Sequence, residues 1–251
     1  PTLLQEQNSF PGITNRLLGR KADKICVAYE GMDRFFPAEK LLLTGNPVRA
    51  QLQDLRATRE EGAKHFGFDS AKPILFVFGG SLGARSINEA MAANAEALKA
   101  RPDVQVLWQV GKLYEATFTA CETAQLPNVK AQAFIDGMDL AYAMADVIVA
   151  RSGALTISEL QFAGKPAIFI PSPNVAEDHQ SKNAQALVRK DAALMIPDAA
   201  ANDRILKDAI ALIDDEERRQ TLSANIKKLA QPDAAGRIAR EVLRLAQSAK
   251  P

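Results

Sequence analysis

A chain of 251 residues, 47% hydrophobic and 24% charged, is long enough for one large or two modest domains with real cores. Its 31 Lys and Arg against 30 Asp and Glu leave a net charge of +1, which offers no general attraction to nucleic acid. Its two cysteines, Cys26 and Cys121, lie far apart and have no metal-ligand spacing, which fits a reduced cytoplasmic protein; there is no signal peptide and no apolar run near the roughly 20 residues of a membrane helix.

The first residues lack an initiator Met and read as a strand entering a loop, so the chain is expected to begin inside a domain. Thr2–Leu4 is the strand end and Gln5–Asn8 the polar loop. Thr14 is expected to cap a basic amphipathic helix, Asn15–Ala22, with Leu17 and Leu18 inward and Arg16, Arg20 and Lys21 outward. Strands are expected at Lys24–Tyr29 and Lys40–Leu43. The segment Thr44–Arg49 breaks the pattern through Gly45 and Pro47 and reads as a domain linker.

Beyond it, helices and strands alternate. Helices are expected at Thr58–Phe66, Ala84–Ala100, Tyr114–Ala124, Met138–Met144, Ala154–Ala163, Glu177–Lys190, Asn202–Ile213, Glu216–Ala230 and Ala235–Gln247. Strands are expected at Ile74–Phe78, Val104–Gln109, Val129–Phe134, Val147–Ala150, Ala167–Ile170 and Ala193–Ile196. The run I-L-F-V-F at Ile74–Phe78 is apolar at every position, as in a parallel strand covered on both faces. The alternation predicts a doubly wound parallel α/β sheet.

Four stretches carry chemistry. The first is Arg151–Glu159, between a strand and a helix. In a parallel sheet it lies at the carboxyl edge, where Ala154, Leu155 and Thr156 offer unpaired backbone N–H groups to an anion. Glu159, one turn in, suits a ligand that carries hydroxyls beside its phosphates, such as a ribose diphosphate. The competing reading makes Ser152 a simple helix cap that Glu159 completes.

The second is Gly79–Gly83, where three glycines permit close backbone approach and Ser81 adds a hydroxyl. The third is Phe134–Asp139, where Ile135 and Met138 either face a base or pack in the core. The fourth is Pro171–Ala184, where Gln180 and Asn183 share a helical face and suit sugar hydroxyls, or simply open a solvated helix. His179 beside Asp178 is read as a surface or structural residue. There is no Asp-x-Asp for a metal under a diphosphate and no P-loop signature. Backbone amides, Ser81 and arginine are left to neutralise a diphosphate without metal.

Glu6–Asn8 (EQN), Thr14–Leu18 (TNRLL), Thr44–Arg49 (TGNPVR), Gly79–Arg85 (GGSLGAR), Arg151–Leu160 (RSGALTISEL) and Asp178–Ala184 (DHQSKNA) occur in this order. Together they closely resemble the MurG family of peptidoglycan N-acetylglucosaminyltransferases, over essentially the whole chain. The resemblance implies a GT-B fold of two Rossmann-like domains. It also implies inverting transfer of GlcNAc from UDP-GlcNAc to the C4 hydroxyl of MurNAc in lipid I, giving lipid II. The place implied is the cytoplasmic face of the cell membrane, with peripheral attachment and no cofactor.

By position, the resemblance puts Arg49 and Ser81 on the UDP diphosphate and the Ile135 backbone on uracil. It wraps the Ala154-Leu155-Thr156 loop around the diphosphate and sugar and gives the ribose hydroxyls to Glu159. Gln180, with Asn183 nearby, takes GlcNAc hydroxyls, and Asn8 reaches the donor from the other domain. The implied division is 1–48 for the end of the acceptor domain, 49–232 for donor binding and 233–251 for a helix returning to the first domain. The family's G-G-T-G-G-H motif has no counterpart here. The general base and acceptor site are therefore expected in an absent N-terminal part, and this chain alone is expected to be inactive. The basic helix Asn15–Lys24 either flanks a membrane-facing patch or is a solvated amphipathic face. Rival readings are another GT-B activity on the same donor, such as an epimerase or glycolipid synthase, and a non-catalytic nucleotide-sugar binding module.

Overall fold

The computed structural model describes residues 1–248. Two parallel sheets organise them. Strands β1 (Leu3–Glu6), β2 (Lys24–Val27) and β3 (Leu41–Leu43) form the smaller sheet, in that order, with α1 (Ile13–Gly19) crossing from β1 to β2. The larger sheet contains β4 (Ile74–Phe78), β5 (Gln105–Gln109), β6 (Val129–Gln132), β7 (Val147–Ala150), β8 (Ala167–Phe169) and β9 (Leu194–Met195). Its order is β6-β5-β4-β7-β8-β9, all parallel. This is the dinucleotide-fold order, in which the chain reverses direction between β4 and β7.

The helices in chain order are α2 (Ala50–Gln53), α3 (Arg59–Phe66), α4 (Arg85–Ala93), α5 (Ala95–Lys99), α6 (Glu115–Phe118), α7 (Met138–Met144), α8 (Ala154–Ala163), α9 (His179–Val188), α10 (Ala201–Asp214), α11 (Glu216–Lys227) and α12 (Ala234–Ser248). Strand β4 shows why both faces of the sheet are covered. Leu75 and Val77 join one core, which also contains residues of α4 and α10. Ile74, Phe76 and Phe78 join the other, with residues of α3, α7 and α8. All five are buried, as period-2 alternation in a two-faced strand requires.

Several local expectations differ from the structure. Helix α1 starts after Gly12, not Thr14, and no side chain caps it. Leu17 and Leu18 point outward, 66% and 49% exposed, because the core of the small sheet is closed by Ile25, Val27, Met32 and Phe36. The helix expected over Ala84–Ala100 breaks at Asn94, whose amide donates to the carbonyls of Ala90 and Asn202. The helix expected over Tyr114–Ala124 shortens to α6 between two 3-10 turns. That expected from Glu177 begins at His179, because Glu177 and Asp178 adopt left-handed backbone.

The segment Thr44–Arg49, expected as a linker, is packed rather than exposed. Thr44 and Asn46 are buried. The Asn46 amide donates to the Gln7 carbonyl at 3.0 Å and to Ser158 Oγ on α8 at 3.1 Å, so one side chain bonds elements of both sheets. Burial pushes the Cys26 thiol of β2 up, opposed by its hydrogen bond to Thr44 of the same segment.

The turn after β4 is the most constrained backbone near the switch point. Gly83 sits at φ +84°, and a methyl there would collide with the Val110 carbonyl. Gly83→Ala is expected to destabilise the protein by about 1–3 kcal/mol, from left-handed strain plus overpacking. Urea denaturation of the variant beside the unsubstituted protein checks it.

Candidate functional site

Two loops meet where the sheet reverses. Strands β4 and β7 are hydrogen-bonded neighbours with Phe78 opposite Ala150, so the loops that follow them leave the same edge side by side. The first, Gly79–Gly83, turns through a Gly83 N–H to Gly80 carbonyl bond of 2.9 Å. Its Ser81 is exposed, and its hydroxyl has no partner among the described residues. The helix it feeds is anchored from below: Asn88 of α4 accepts from the Trp108 indole at 3.0 Å and donates to the Val110 carbonyl at 2.8 Å.

The second loop opens α8. Gly153 is its N-cap and no side chain caps it. The first helical bond runs from the Ile157 N–H to the Gly153 carbonyl, so the N–H groups of Ala154, Leu155 and Thr156 have no helical acceptor. The reading of Ser152 as the cap is corrected here. Ser152 is fully buried, and its hydroxyl donates to the Gln180 carbonyl at 2.9 Å, tying the loop to α9 instead. Helix α8 thus begins with bare amides and a positive dipole end, the arrangement that binds anions.

Two cavities flank these amides and share Gly80 and Thr156. One, of about 270 Å³, is lined by Arg49, Ser81, Ile135, Leu155, Thr156 and Glu159 among others. The other, of about 550 Å³, is lined by the glycine loop, Gly153, Thr156, Ser172 and Gln180 among others. Six of the ten residues singled out in the sequence therefore line one cavity. Ile135 is buried as a whole residue and belongs to the core, although it also lines this cavity.

Glu159 is the electrostatic centre of the smaller cavity. Burial pushes its carboxyl up, while the Tyr142 hydroxyl, donating at 2.9 Å, and the Arg49 guanidinium, 3.7 Å away, pull it down. Burial, followed by the neighbouring carboxylate charge, pushes the Tyr142 phenol well above its ordinary value, so Tyr142 stays a donor. The carboxylate keeps acceptor capacity beside a pocket and suits a diol. Tyr142 was not foreseen from the sequence. It is 17 residues from Glu159 and buried, with no motif of its own; the A-Y-A-M run reads simply as core helix.

A second unforeseen group braces the loop itself. Arg151 donates to the carbonyls of Ile170 and Pro171, to Ser86 Oγ at 2.9 Å and to Asp198. It ties β7, β8, α4 and the turn before α10 together just beneath the anion-binding amides. Its place in the R-S-G run was the only sequence signal.

The remaining expected residues divide. Gln180 lines the larger cavity; its carbonyl Oε1 accepts from the Ser172 N–H at 2.9 Å, and its Nε2 has no partner among the described residues. Ala154 stands at the helix start. Asn183 does not join them. It is fully buried, accepts from the Ser9 N–H at 2.8 Å and donates to Asn8 Oδ1 at 3.0 Å and to the Ser152 carbonyl at 3.4 Å. In this structure Asn183 clasps the two sheets rather than offering itself to a sugar. Asn8, its partner, lines a third cavity of about 370 Å³ with Glu6 and His179.

A doubly wound parallel sheet with its loops at the switch point, facing a second parallel sheet, has the architecture of the GT-B glycosyltransferases. The profile of the glycosyltransferase family 28 C-terminal domain matches residues 74–238. The chain is 48% identical over 249 residues to a Bacteroides fragilis UDP-N-acetylglucosamine–N-acetylmuramyl-(pentapeptide) pyrophosphoryl-undecaprenol N-acetylglucosamine transferase, covering 98% of this chain and 66% of that protein. The identically named protein of Phocaeicola vulgatus is 50% identical over 248 residues, with the same coverage. The crystal structure of Acinetobacter baumannii MurG superposes with a TM-score of 0.77 at 28% identity, covering 97% of this chain and 67% of that one. The chain belongs to glycosyltransferase family 28. It spans 66% of the length of the first two relatives.

The Tyr142–Glu159 contact predicts a measurable titration. Removing the donated hydrogen bond leaves burial less opposed, so Tyr142→Phe is expected to raise the Glu159 carboxyl further. NMR titration of the side-chain carboxyl carbon checks it; an unchanged midpoint means the bond does not hold Glu159.

Proposed function

We propose that this chain is the donor-binding part of an inverting glycosyltransferase that moves GlcNAc from UDP-GlcNAc to the C4 hydroxyl of MurNAc in lipid I, forming lipid II. The single observation that carries the reading is the half-buried Glu159 carboxylate set one turn inside a helix whose first amides are bare. That pairing suits a ribose diol next to a diphosphate. The names borne by relatives at 48–50% identity support the choice of donor and acceptor.

The chemistry follows from the site. As the acceptor hydroxyl attacks the anomeric carbon, negative charge grows on the departing UDP. The amides of Ala154, Leu155 and Thr156, the Ser81 hydroxyl and the Arg49 guanidinium receive that charge without reorganising. Glu159 holds the ribose, the Ile135 backbone reads the uracil, and Gln180 bonds GlcNAc hydroxyls from the larger cavity. Asn8 contributes from the small sheet, with its own amide held by Asn183. The acceptor site and general base are assigned to sequence outside this chain. The cytoplasmic membrane face is proposed as the place of action, with α1 as a peripheral contact: Ile13, Leu17 and Leu18 are exposed beside Arg16, Arg20 and Lys21. No helix among the described residues is long and apolar enough to cross a membrane.

Calorimetric titration with UDP, UDP-GlcNAc and ADP tests the donor reading; selective uridine binding is expected, and equal binding of ADP rejects it. Glu159→Gln is expected to weaken UDP binding by about 1.5–3 kcal/mol, the worth of a hydrogen bond to a charged group, with the fold unchanged by circular dichroism. Because burial raises the Glu159 carboxyl, wild-type UDP affinity is expected to fall with decreasing pH through a midpoint above the ordinary carboxylate range, as the acceptor is protonated. Titrations across that range check the sign. Joining the chain to the N-terminal part of a curated relative and following GlcNAc transfer to lipid I separates a transferase from a binding module. Leu17→Ser with Leu18→Ser is expected to reduce sedimentation of the joined protein with anionic vesicles.

A further inference from the structure

A fourth cavity lies away from the switch point, where the end of β2 meets α8, α9 and the segment after α11. It encloses about 220 Å³ and is separate from the cavities that flank the α8 amides. Two polar groups converge on it without partners. The Tyr29 hydroxyl is buried and makes no hydrogen bond. Burial pushes its phenol far above the ordinary value, so it is a neutral donor. Gln161, 9% exposed on α8, also lines the cavity, and its amide has no partner among the described residues. A buried polar group left unpaired costs about 1–3 kcal/mol, so the Tyr29 hydroxyl points to something that bonds it, with the Gln161 amide on the same lining to help.

The mouth has a different character. Four exposed cations, Arg34, Arg189, Lys190 and Lys228, stand around it against one carboxylate, Glu30, which Lys190 already pairs at 2.7 Å. The Arg34 and Lys228 contacts are to neutral groups, the Ser9 carbonyl and the Asn225 amide. Cation excess at the mouth favours an anion, and a dianion more than a monoanion. The volume is below the roughly 300–1,000 Å³ of drug-sized sites, so the occupant is small.

We propose that this junction cavity is a second ligand site, for a small hydroxylated phosphate monoester whose hydroxyl bonds Tyr29 and Gln161 while its phosphate meets the cations at the mouth. The site draws one wall from the small sheet and the rest from the donor-side helices, so its occupant touches both parts of the molecule. It does not depend on the transferase reading, since none of its lining residues belongs to the proposed donor site.

The probe is glycerol 3-phosphate, titrated into the chain with and without saturating UDP, with glycerol and inorganic phosphate as half-ligands. Saturable binding of the probe, stronger than of either half, is expected. Tyr29→Phe, which keeps the ring and its packing, and Gln161→Ala are each expected to weaken it by about fivefold, the loss of one hydrogen bond. Lys228→Gln is expected to flatten its salt dependence. Circular dichroism confirms that each variant is folded. The proposal is overturned by no saturable binding, by inorganic phosphate binding as well as the probe, by indifference to both Tyr29→Phe and Gln161→Ala, or by displacement with UDP. Binding to vesicles that display the same headgroup but not to the free probe also overturns it, because a headgroup held at a bilayer is then the ligand.

Discussion

The pairing of β4 with β7 is the constraint on which the candidate site depends. Every other neighbour relation in the larger sheet continues outward in chain order, but at this pair the chain leaves one side and resumes on the other. Right-handed crossovers then send the helices after β4 and β7 to opposite faces, which opens a crevice above the two strand ends. The cores agree with this: Ile87 of α4 belongs to one apolar cluster and Ile157 of α8 to the other. No side chain at the site would converge if β7 were moved one place along the sheet. The glycine loop and the α8 amides face each other because their strands are hydrogen-bonded, not because the loops attract.

Given that crevice, the chemistry is decided by a conflict between burial and charge at Glu159. Solvent exclusion favours the neutral acid, and Tyr142 and Arg49 favour the carboxylate. Tyr142 spends its single proton on Glu159 Oε2, while Arg49 stays at 3.7 Å from Oε1 and is 67% exposed. One oxygen is thus fixed by a buried core residue, and the other is met by an exposed, solvated cation. A diol that approaches Oε1 displaces water and a loose ion pair, not a buried hydrogen bond. That is cheaper than breaking the Tyr142 contact, and it presents the carboxylate in one orientation before any ligand arrives.

The parts of this arrangement that were legible in the sequence are those written by local chemistry. Five consecutive apolar residues in β4, glycines after it, and R-S-G before a helix each carry their physics within a few positions. What the sequence hid lies in long-range partners. Ser152 looked like a cap because caps are local, yet its hydroxyl crosses 28 residues to the Gln180 carbonyl. Leu17 and Leu18 looked like an inward stripe, because periodicity reports an apolar face without saying what lies opposite it. Asn183 shares a helical face with Gln180, as read, but sharing a face one turn apart did not mean sharing a cavity: one is buried against the small sheet and the other lines the crevice. The Arg151–Asp198 and Tyr142–Glu159 pairs are likewise long-range contacts that no spacing rule announces.

The joint between the two sheets is built from different material than either sheet. The large cores and the small one are separate apolar clusters, and Tyr29 is the residue of the small sheet's exit that packs against a large one. Much of the rest of the joint is polar: Asn46 to Gln7 and Ser158, Asn183 to Ser9, Asn8 and Ser152, and the Lys190–Glu30 ion pair. Apolar seams resist opening in proportion to the area they would expose, whereas hydrogen bonds between amides exchange for water at a net cost of about 1 kcal/mol each. Asn8 and Gln180 stand on the two sides of that joint, and Asn183 touches Asn8 directly and lies one helical turn from Gln180. A residue read from sequence as standing near the sugar thus spends its amide on holding Ser9, Asn8 and Ser152 together across the joint.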